Sequence, residues 1–262
     1  AFRLPEEVLN DEVNYVLDLG IHTHFNQYVD SLKEVMAKDY DAVFIGSGAP
    51  KGRDLKIPGR EEGDANIHIG INWLSSVAFE HTEKIGKKVI VLGGGNTAMD
   101  CCRTARRLGG EEVKVCVRSP FDDMKASPWE KDDAQAEGII IKPNYTPVEY
   151  VMENGEFIGV RFDKVASSYD KNGHRSLVTT GESLLVECDL VLVAVGQDTA
   201  FPWIERDIGL KFNKWQQPEL NEATLQSSLA QVFFGGDAAF GPKNIITAVA
   251  NGHQAAISID LF

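Results

Sequence analysis

The sequence predicts an α/β protein built on a Rossmann-like parallel sheet. Three observations indicate this class. A short apolar strand at residues 89–92 runs directly into a glycine triplet, an amphipathic helix follows the triplet, and two further apolar segments, residues 41–48 and 189–197, also run into glycine. A strand, a glycine turn and a helix in this order form the first half of a nucleotide-binding unit.

Length and composition limit the possible functions. The chain has 262 residues, enough for one large or two ordinary domains. A hydrophobic fraction of 43% and 24 glycines are typical of a folded α/β protein. The net charge is −13 and the acidic residues are spread along the chain. Nucleic acid is therefore not expected as a partner, because phosphate binding needs clustered Lys and Arg.

The cysteines and the lengths of the apolar runs indicate the cellular compartment in which the protein is expected to function. Cys101, Cys102, Cys116 and Cys188 form no C-x-x-C pair and have no metal-ligand spacing. We interpret them as reduced core thiols, which predicts a cytoplasmic protein without a metal site. No apolar run reaches membrane-spanning length, so no membrane contact is expected. The sequence starts at Ala1 rather than at Met, which suggests a piece of a longer protein.

The glycine triplet fits the dinucleotide fingerprint in its alanine form, Gly93-x-Gly95-x-x-Ala98. Gly93 allows the tight turn, Gly95 lets the backbone approach a pyrophosphate, and Ala98 lets the helix pack close to the strand. The N–H groups of Gly95, Asn96 and Thr97, together with the helix dipole, would then bind an anion. An ordinary strand-to-helix turn is the competing interpretation.

The remaining elements follow from hydrophobic periodicity and turn residues. Helices are predicted over residues 5–19, 71–79, 128–137 and 244–261. Strands are predicted over residues 21–25, 40–45, 113–117, 138–141, 183–188, 189–195 and 231–234. Asn154-Gly155 indicates a hairpin within residues 149–164, and residues 169–174 read as a polar surface turn.

Two further glycine turns contain candidate binding residues. Gly46 and Gly48 suit a close approach of the backbone to a cofactor, although a plain turn explains them equally well. Asp237, which follows Gly236, can accept a hydrogen bond from a flavin ribitol hydroxyl. The positive end of the helix beginning at Asn244 can face the N1–C2=O edge of a flavin. A helix-capping turn accounts equally well for Gly-Gly-Asp.

The residue that ends the strand at residues 113–117 indicates which coenzyme binds. An acidic residue at this place accepts from the ribose 2′-hydroxyl of NAD, whereas an arginine suits the 2′-phosphate of NADP. Arg118 stands here, with Lys125 close behind. The sequence therefore favours NADPH over NADH, while a solvated surface arginine is the alternative.

Several stretches together carry a specific resemblance to a known family. They are GGGNTAMDCCRTARRLGG, VRSPFDDMKAS, LVLVAVGQDT, VFFGGDAAFGPKNIITAVANGHQAA, FRLPEEVLNDEV and YDAVFIGSGAPKGRDLKIPG. They resemble the small (beta) subunit of NADPH-dependent glutamate synthase and the same module in dihydropyrimidine dehydrogenase. The resemblance implies a Rossmann-like NAD(P)H-binding domain, residues 60–197, inserted in a partial FAD-binding domain of the two-dinucleotide-binding flavoprotein type, residues 1–59 and 198–262.

The resemblance also implies cofactor-binding residues and no catalytic acid, base or metal ligand. For NADP(H) these residues are Gly93, Gly94, Gly95, Asn96, Thr97 and Arg118, with the turn Ala194, Val195 and Gly196 near the nicotinamide. For the flavin they are Gly46, Ser47, Gly48, Gly236, Asp237 and Ile246.

Two departures from the family's pattern qualify these expectations. The family usually has two adjacent arginines after the second strand, and here Ser119 follows Arg118, which weakens the preference for NADP over NAD. Residues 1–40 contain neither the first FAD fingerprint nor the cysteine-rich iron–sulfur domain that precedes it in the family. We therefore expect an incomplete FAD site, in a fragment or in a chain whose partner supplies the missing βαβ unit.

The implied function is an NADPH-dependent flavin oxidoreductase module. It would pass hydride from NADPH to FAD and electrons onward to a partner, such as a glutamate synthase large subunit or an iron–sulfur domain. One alternative is a nucleotide-binding assembly or regulatory subunit without flavin chemistry of its own. Another is an enzyme of thioredoxin-reductase type, which ranks last because it needs a C-x-x-C that the sequence lacks.

Overall fold

The computed structural model describes residues 3–171 and 175–262 of the chain. It divides into two compact units, a smaller one of Ala1–Asp41 with Phe201–Ile208 and a larger one of Ala42–Ala200 with Gly209–Phe262. Residues 172–174 of the predicted polar surface turn lie outside the described residues, so that turn stays a prediction.

The regular elements are as follows. The helices are α1 Glu6–Leu17, α2 Leu32–Met36, α3 Gly70–Ala78, α4 Asn96–Arg107, α5 Pro128–Ala136, α6 Asp237–Phe240 and α7 Ile245–Asp260. The strands are β1 Val43–Ile45, β2 Lys51–Gly52, β3 Ile67–Ile69, β4 Lys88–Leu92, β5 Glu112–Val117, β6 Ile140–Pro143, β7 Tyr145–Glu153, β8 Glu156–Tyr169, β9 Arg175–Glu187, β10 Leu190–Val193, β11 Gln197–Asp198 and β12 Val232–Phe234.

The smaller unit is helical in its described part. The predicted helix at residues 5–19 is confirmed as α1, whose first turn carries Glu6 and Glu7 at the positive end of the helix dipole. In α2 the Ser31 side chain accepts from the Glu34 N–H and caps the helix. The strand predicted at residues 21–25 is wrong. These residues are exposed and form no ladder, because no strand in the described part of this unit offers a partner.

The larger unit is organised around a five-stranded parallel sheet with the order β3-β10-β4-β5-β6. The apolar run of β4 is explained by burial on both faces. Val89 and Val91 face the core beneath α4, whereas Ile90 and Leu92 face the core beneath the β7–β9 sheet. The structure confirms five of the predicted elements, which are α4, β5, α5, β6 and β10. Strand β3 has no counterpart among the predictions.

Strands β7, β8 and β9 form an antiparallel meander that packs on the second core. Its first turn is Asn154-Gly155, as predicted. Both residues have positive φ, +53° and +85°, which is the backbone of a type I′ hairpin turn. The strand predicted at residues 183–188 is the end of the longer β9. The meander closes one face of the main sheet.

Two short strand pairs complete the larger unit. β1 and β12 pair in parallel, and β2 and β11 pair in antiparallel orientation. The strand predicted at residues 40–45 is shorter than expected, and Phe44 is 42% exposed within it. The helix predicted at residues 244–261 is confirmed as α7. Across the described residues, no helix combines the length and the apolar character needed to cross a membrane.

Candidate functional site

The three glycines after β4 differ in what surrounds them, and therefore in why a glycine is needed at each position. Gly93 has φ +145°, and a Cβ there would overlap the carbonyl oxygen of Ala194. A Cβ on Gly94 would lie 2.7 Å from Cγ2 of Val117. A Cβ on Gly95 would meet no atom within 4 Å. The packing of the protein itself therefore requires the first two glycines, whereas the third leaves space beside the start of α4.

The amino-terminal end of α4 is open to a ligand. Gly95 is the N-cap residue with extended backbone, and as a glycine it has no side chain to accept from the first N–H groups of the helix. The Asn96 side chain is occupied elsewhere, since its Oδ1 accepts from the Ser127 N–H at 2.9 Å. Thr97 is half-buried. Free N–H groups and the positive end of the dipole at one place suit a diphosphate.

One face of α4 is buried in the core of the larger unit. Ala98, Cys101, Cys102 and Ala105 have no exposed surface, as expected for the core-facing side of the predicted amphipathic helix. All four cysteines are buried and free of disulfides. Burial raises the pKa of the Cys102, Cys116 and Cys188 thiols to about 12 and that of Cys101 well above its ordinary value. These thiols stay protonated, so they are core side chains and not nucleophiles.

The turn after β10 lies against the glycine turn after β4. The Ala194 N–H donates to the Leu92 carbonyl oxygen at 2.8 Å. Gly196 has φ +133°, and its carbonyl oxygen accepts from the Arg53 N–H at 3.0 Å. Val195 lies between them and is 39% exposed. The structure thus brings together the two segments that were predicted to bind the diphosphate and the nicotinamide.

Arg118 follows the buried Val117 at the carboxyl end of β5 and is exposed. Within residues 3–171 and 175–262 it forms no ion pair. Its position matches the place at which this fold contacts the adenosine ribose. The side chain is therefore available to an anionic ligand.

The candidate flavin residues follow two neighbouring parallel strands. β1 and β12 pair with Ile45 opposite Phe234, and the Gly235 N–H donates to the Ile45 carbonyl oxygen at 3.2 Å. Gly46 and Ser47 are exposed, and Gly48 has φ +75°. The Gly46–Gly48 turn and the Gly236-Asp237 turn consequently begin side by side.

The first half of α7 and the residue Lys243 before it contact the Gly236-Asp237 turn. The N–H of Gly236 donates to Asn251 Oδ1 at 3.1 Å, and Asp237 Oδ1 accepts from the Lys243 N–H at 2.9 Å. Asn244 caps α7 by accepting from the Thr247 N–H at 2.9 Å. Ile246 is 78% exposed on the first turn of the helix. The other carboxylate oxygen of Asp237 remains for a ligand. At the amino-terminal end of α7, by contrast, the Asn244 side chain already accepts from one of the N–H groups that a ligand could have bound.

Two short segments, β2 and β11, pair with each other and link the candidate nicotinamide turns to the candidate flavin turns; we call this pair the β2–β11 ribbon. Gly48 leads through residues 49–50 into β2, Gly196 leads directly into β11, and these strands pair with each other. Arg53 closes the ribbon with a bidentate ion pair, its Nε 3.0 Å from each carboxylate oxygen of Asp198. The hydrogen bond and charge of Arg53 hold the pKa of Asp198 below its ordinary value. Sequence reasoning missed this pair, which joins residues 145 positions apart.

A buried ion-pair cluster holds α4 against α5. Arg103, whose side chain is 10% exposed, lies 3.0 Å from a carboxylate oxygen of Glu130, 3.1 Å from Asp133 and 2.9 Å from Glu137. Arg107 adds a second contact to Glu137. The cluster holds in place the helix whose amino-terminal end is the candidate anion site.

The parallel sheet, its antiparallel meander and the paired glycine turns define an oxidoreductase of the two-dinucleotide-binding flavoprotein class. The family model described as pyridine nucleotide-disulphide oxidoreductase matches residues 8–252, and the chain belongs to this family. This membership confirms the predicted fold class and the prediction of an oxidoreductase whose family uses NAD(P)H and FAD.

Curated relatives and solved structures agree with this assignment. The chain is 32% identical over 267 residues to the beta subunit of NADP(+)-dependent formate dehydrogenase from Moorella thermoacetica, covering 100% of the chain and 38% of that protein. It is 32% identical over 275 residues to the glutamate synthase [NADPH] small chain of Halomonas elongata, covering 98% and 58%. The chain thus spans about two fifths to three fifths of the length of these relatives.

Among solved structures, FprA of Mycobacterium tuberculosis in complex with NADPH superimposes with a TM-score of 0.65 at 17% identity, covering 90% of this chain and 66% of that one. Thioredoxin reductase of T. acidophilum gives a TM-score of 0.63 at 19% identity, covering 83% and 64%. At these identities the likeness concerns the fold.

Proposed function

We propose that the chain is the coenzyme-binding module of an NADPH-dependent flavin oxidoreductase, which takes hydride from NADPH to FAD and passes electrons onward. The observation that carries this proposal is the β2–β11 ribbon. It connects the turn that ends in Gly196 with the turn that ends in Gly48, so the candidate nicotinamide and flavin residues converge on one short structural element. Convergence of two dinucleotide sites is what hydride transfer between their rings requires.

On the nicotinamide side, the proposed ligands are the backbone of Gly93, Gly94 and Gly95 and the first N–H groups of α4 at Asn96 and Thr97. The open space around Gly95 and the absence of a side-chain cap on α4 among the described residues fit a diphosphate. Arg118 would contact the ribose 2′-phosphate, which favours NADPH over NADH. The Ala194, Val195 and Gly196 turn would support the nicotinamide.

On the flavin side, the proposed ligands are Gly46, Ser47, Gly48, Gly236 and Asp237, with Ile246 beside the ring. The free oxygen of Asp237 fits a ribitol hydroxyl, because a carboxylate accepts readily from such a donor. These residues would hold the flavin end of FAD. The ADP half would require a further βαβ unit.

When both groups are bound, they supply the chemistry, which is hydride transfer from nicotinamide C4 to flavin N5. No side chain of the chain has to act as acid or base. The backbone turns after β4 and β10 would orient the nicotinamide, and the turns after β1 and β12 would orient the flavin. The residues 60–197 of the proposed NAD(P)H domain contain all five strands of the main sheet.

The proposed partner is an electron-accepting subunit or domain. The two relatives are called a formate dehydrogenase beta subunit and a glutamate synthase small chain, so both are components of larger enzymes. An iron–sulfur domain or a glutamate synthase large subunit would suit this role. Four free buried thiols suit a reducing compartment, and we propose the cytoplasm.

Equilibrium dialysis of the purified chain against NADPH, NADH and FAD tests the proposal. We expect residues 1–262 to bind NADPH, to bind NADH more weakly, and to bind FAD weakly unless a βαβ unit for the ADP half is added. For the nicotinamide coenzymes, Gly252→Ala is a matched control, because Gly252 belongs to α7 rather than to the proposed coenzyme turns and a Cβ there meets no atom within 4 Å. Failure of wild type and control to bind either nicotinamide coenzyme would contradict the proposal.

The second candidate function is a nucleotide-binding assembly or regulatory subunit without flavin chemistry. The Asn244 cap on α7 favours it, since this cap uses an N–H that would otherwise face the flavin. In that case NADPH would bind but FAD would not, even with a βαβ unit for the ADP half added. A yellow preparation with a flavin absorption spectrum would exclude it.

A further inference from the structure

The outer edge of the β7–β9 meander is a strand that is paired on one side alone. β9 pairs with β8, and in the part of the chain that the structure describes no strand pairs with its other side. β9 spans 13 residues, and residues 176–185 within it are all exposed. Proteins commonly protect such an edge with lysine or proline, and the sequence of β9 contains neither. An uncovered edge of this length is a template for a further strand.

The outer part of the β8–β9 hairpin has only two strands. β7 pairs with β8 as far as Lys164. Beyond that point, residues 165–169 pair with residues 175–179 and with no third strand among the described residues. Val178, which belongs to this two-stranded part, is 51% exposed. Because a two-stranded hairpin is only marginally stable in water, this part of the meander would be stabilised by a third strand.

A glycine bulge divides β9 into two segments. Residues 180–182 of β9 lie opposite the single Lys164 of β8. Gly181, in the middle of the bulge, has φ +88°, and a Cβ there would meet no atom within 4 Å. Glu182, the next residue, forms an ion pair with Lys164 at 2.9 Å. The bulge therefore leaves open space beside its glycine, and the charge next to that glycine is compensated within the chain.

The sequence of β9 is complementary to itself about Gly181. Two copies of β9 that run antiparallel with their Gly181 residues facing each other place Leu177 of one copy opposite Leu185 of the other, and Val178 opposite Leu184. These four side chains are 36–51% exposed. Apolar side chains that lie directly opposite each other on antiparallel strands stabilise the pairing.

The two members of each pair also share a face of the meander. Leu185 lies opposite Arg161 on β8, and Leu177 lies opposite Ser167. Arg161 and Ser167 are an even number of residues apart, so they and their partners point to one face. The same rule places the other apolar pair on the opposite face. A two-fold axis perpendicular to the sheet requires this agreement, because it continues each face of one copy into the same face of the other.

The charges of β9 are compatible with this arrangement. The chain has a net charge of −13, so two copies repel each other unless their contact avoids opposed carboxylates. In the two-fold register Glu182 lies opposite Thr180. Glu187, which is 67% exposed and 3.1 Å from Lys88, lies opposite position 175, where the sequence has an arginine. The carboxylates of β9 therefore do not face each other.

We infer that β9 is a self-association surface, on which a second copy of this chain adds its own β9 in antiparallel orientation about a two-fold axis at Gly181. The two meanders then form one continuous sheet, and residues 175–179 of each copy gain a third strand from residues 183–187 of the other. The inference is independent of coenzyme binding, because the proposed coenzyme-binding residues lie outside β9. One strand pair is a small interface, so we expect a dissociation constant on the order of 10 µM.

The test measures the dimer dissociation constant of residues 1–262 by sedimentation equilibrium. One double variant, Leu177→Lys with Leu185→Lys, sets like charges opposite each other, whereas Leu177→Lys with Leu185→Glu sets opposite charges there. We expect the first to weaken the dimer tenfold or more and the second to remain within about threefold of wild type. Ile140→Lys is the control, because Ile140 is 48% exposed on β6, an edge strand of the other sheet, and it should leave the constant unchanged.

The two double variants change the same two leucines, so a difference between them reports the charge pairing rather than the loss of apolar surface. Circular dichroism checks that each variant folds. If the like-charged variant does not fold, Leu177→Lys alone should weaken the dimer, and adding Leu185→Glu should restore it. A wild type that stays monomeric up to about 1 mM would overturn the inference. Equal constants for the two double variants would also overturn it, as would loss of the dimer in Ile140→Lys.

Discussion

Gly93 lies so close to Ala194 that any side chain on the glycine would overlap the carbonyl oxygen of Ala194. The Ala194 N–H in turn donates to the carbonyl oxygen of Leu92, at the end of β4. The turn after β4 and the turn after β10 are therefore one rigid unit. In the proposed function, this unit sets the distance between the diphosphate and the nicotinamide.

Replacing Gly93 should damage the fold and the site together. Gly93→Ala introduces a Cβ that overlaps Ala194 at φ +145°, a conformation that side chains rarely adopt. We expect a loss of about 2–4 kcal/mol in the free energy of unfolding, measured by urea denaturation, and no detectable NADPH binding. A variant of wild-type stability would show that the two turns are not locked together.

Replacing Gly95 should separate stability from binding. In Gly95→Ala the new Cβ meets no atom within 4 Å, and the backbone is extended, so the free energy of unfolding should fall by no more than about 1 kcal/mol. The methyl group would occupy the space proposed for the pyrophosphate. We expect NADPH affinity to fall tenfold or more, on the order of 1.4 kcal/mol. Unchanged affinity would place the diphosphate elsewhere, and Gly252→Ala serves as the control.

The Arg103 cluster should contribute strongly to stability. Arg103→Met would remove the cation that lies 3.0 Å from the carboxylate of Glu130, whose side chain is 9% exposed. Loss of one partner of a buried ion pair costs about 3–5 kcal/mol, whereas an exposed pair contributes less than about 1 kcal/mol. The control is Arg161→Met, since Arg161 and its partner Glu149 are 41% and 43% exposed. If urea denaturation showed the same loss in the free energy of unfolding for both variants, the Arg103 cluster would not act as a buried ion pair.

The same cluster predicts sensitivity to acid. Burial opposes the charged form of Glu137, but hydrogen bonds from Arg107 and Arg103 and their charges outweigh it and hold its pKa below the ordinary 4.5. A lowered folded pKa means that this carboxylate stabilises the protein above about pH 4.5 and loses that contribution as pH falls through the folded pKa.

We therefore expect wild type to be more stable than Glu137→Gln at pH 7, with the difference shrinking below pH 4.5. Urea denaturation at several pH values measures this difference. A difference that is constant from pH 7 to the acid limit would show that the role of Glu137 does not depend on its charge.

Local sequence patterns were sufficient to predict the elements that depend only on residues close together in the chain. The apolar run of β4, the fingerprint glycines and the buried face of α4 are all contained within residues 88–108. The hairpin at Asn154-Gly155 likewise depends on two residues with positive φ. The candidate site was predictable to the extent that such local motifs contain it.

Elements that depend on distant partners were not predictable. β3 has three residues in a polar stretch and exists because it pairs with β10, more than 120 residues later. Residues 21–25 have a strand pattern but no strand to pair with among the described residues of their unit. The Arg53–Asp198 pair and the attachment of residues 124–127 to the glycine turn have no sequence signal for the same reason.

The most direct test of the central claim is an amide NMR titration of the chain with NADPH. If the amino-terminal end of α4 binds the diphosphate, the N–H resonances of Gly95, Asn96 and Thr97 should show the largest changes, and these changes should be much smaller in Gly95→Ala. The account is contradicted if NADPH binds while these three resonances stay unchanged and the largest changes lie elsewhere in the chain.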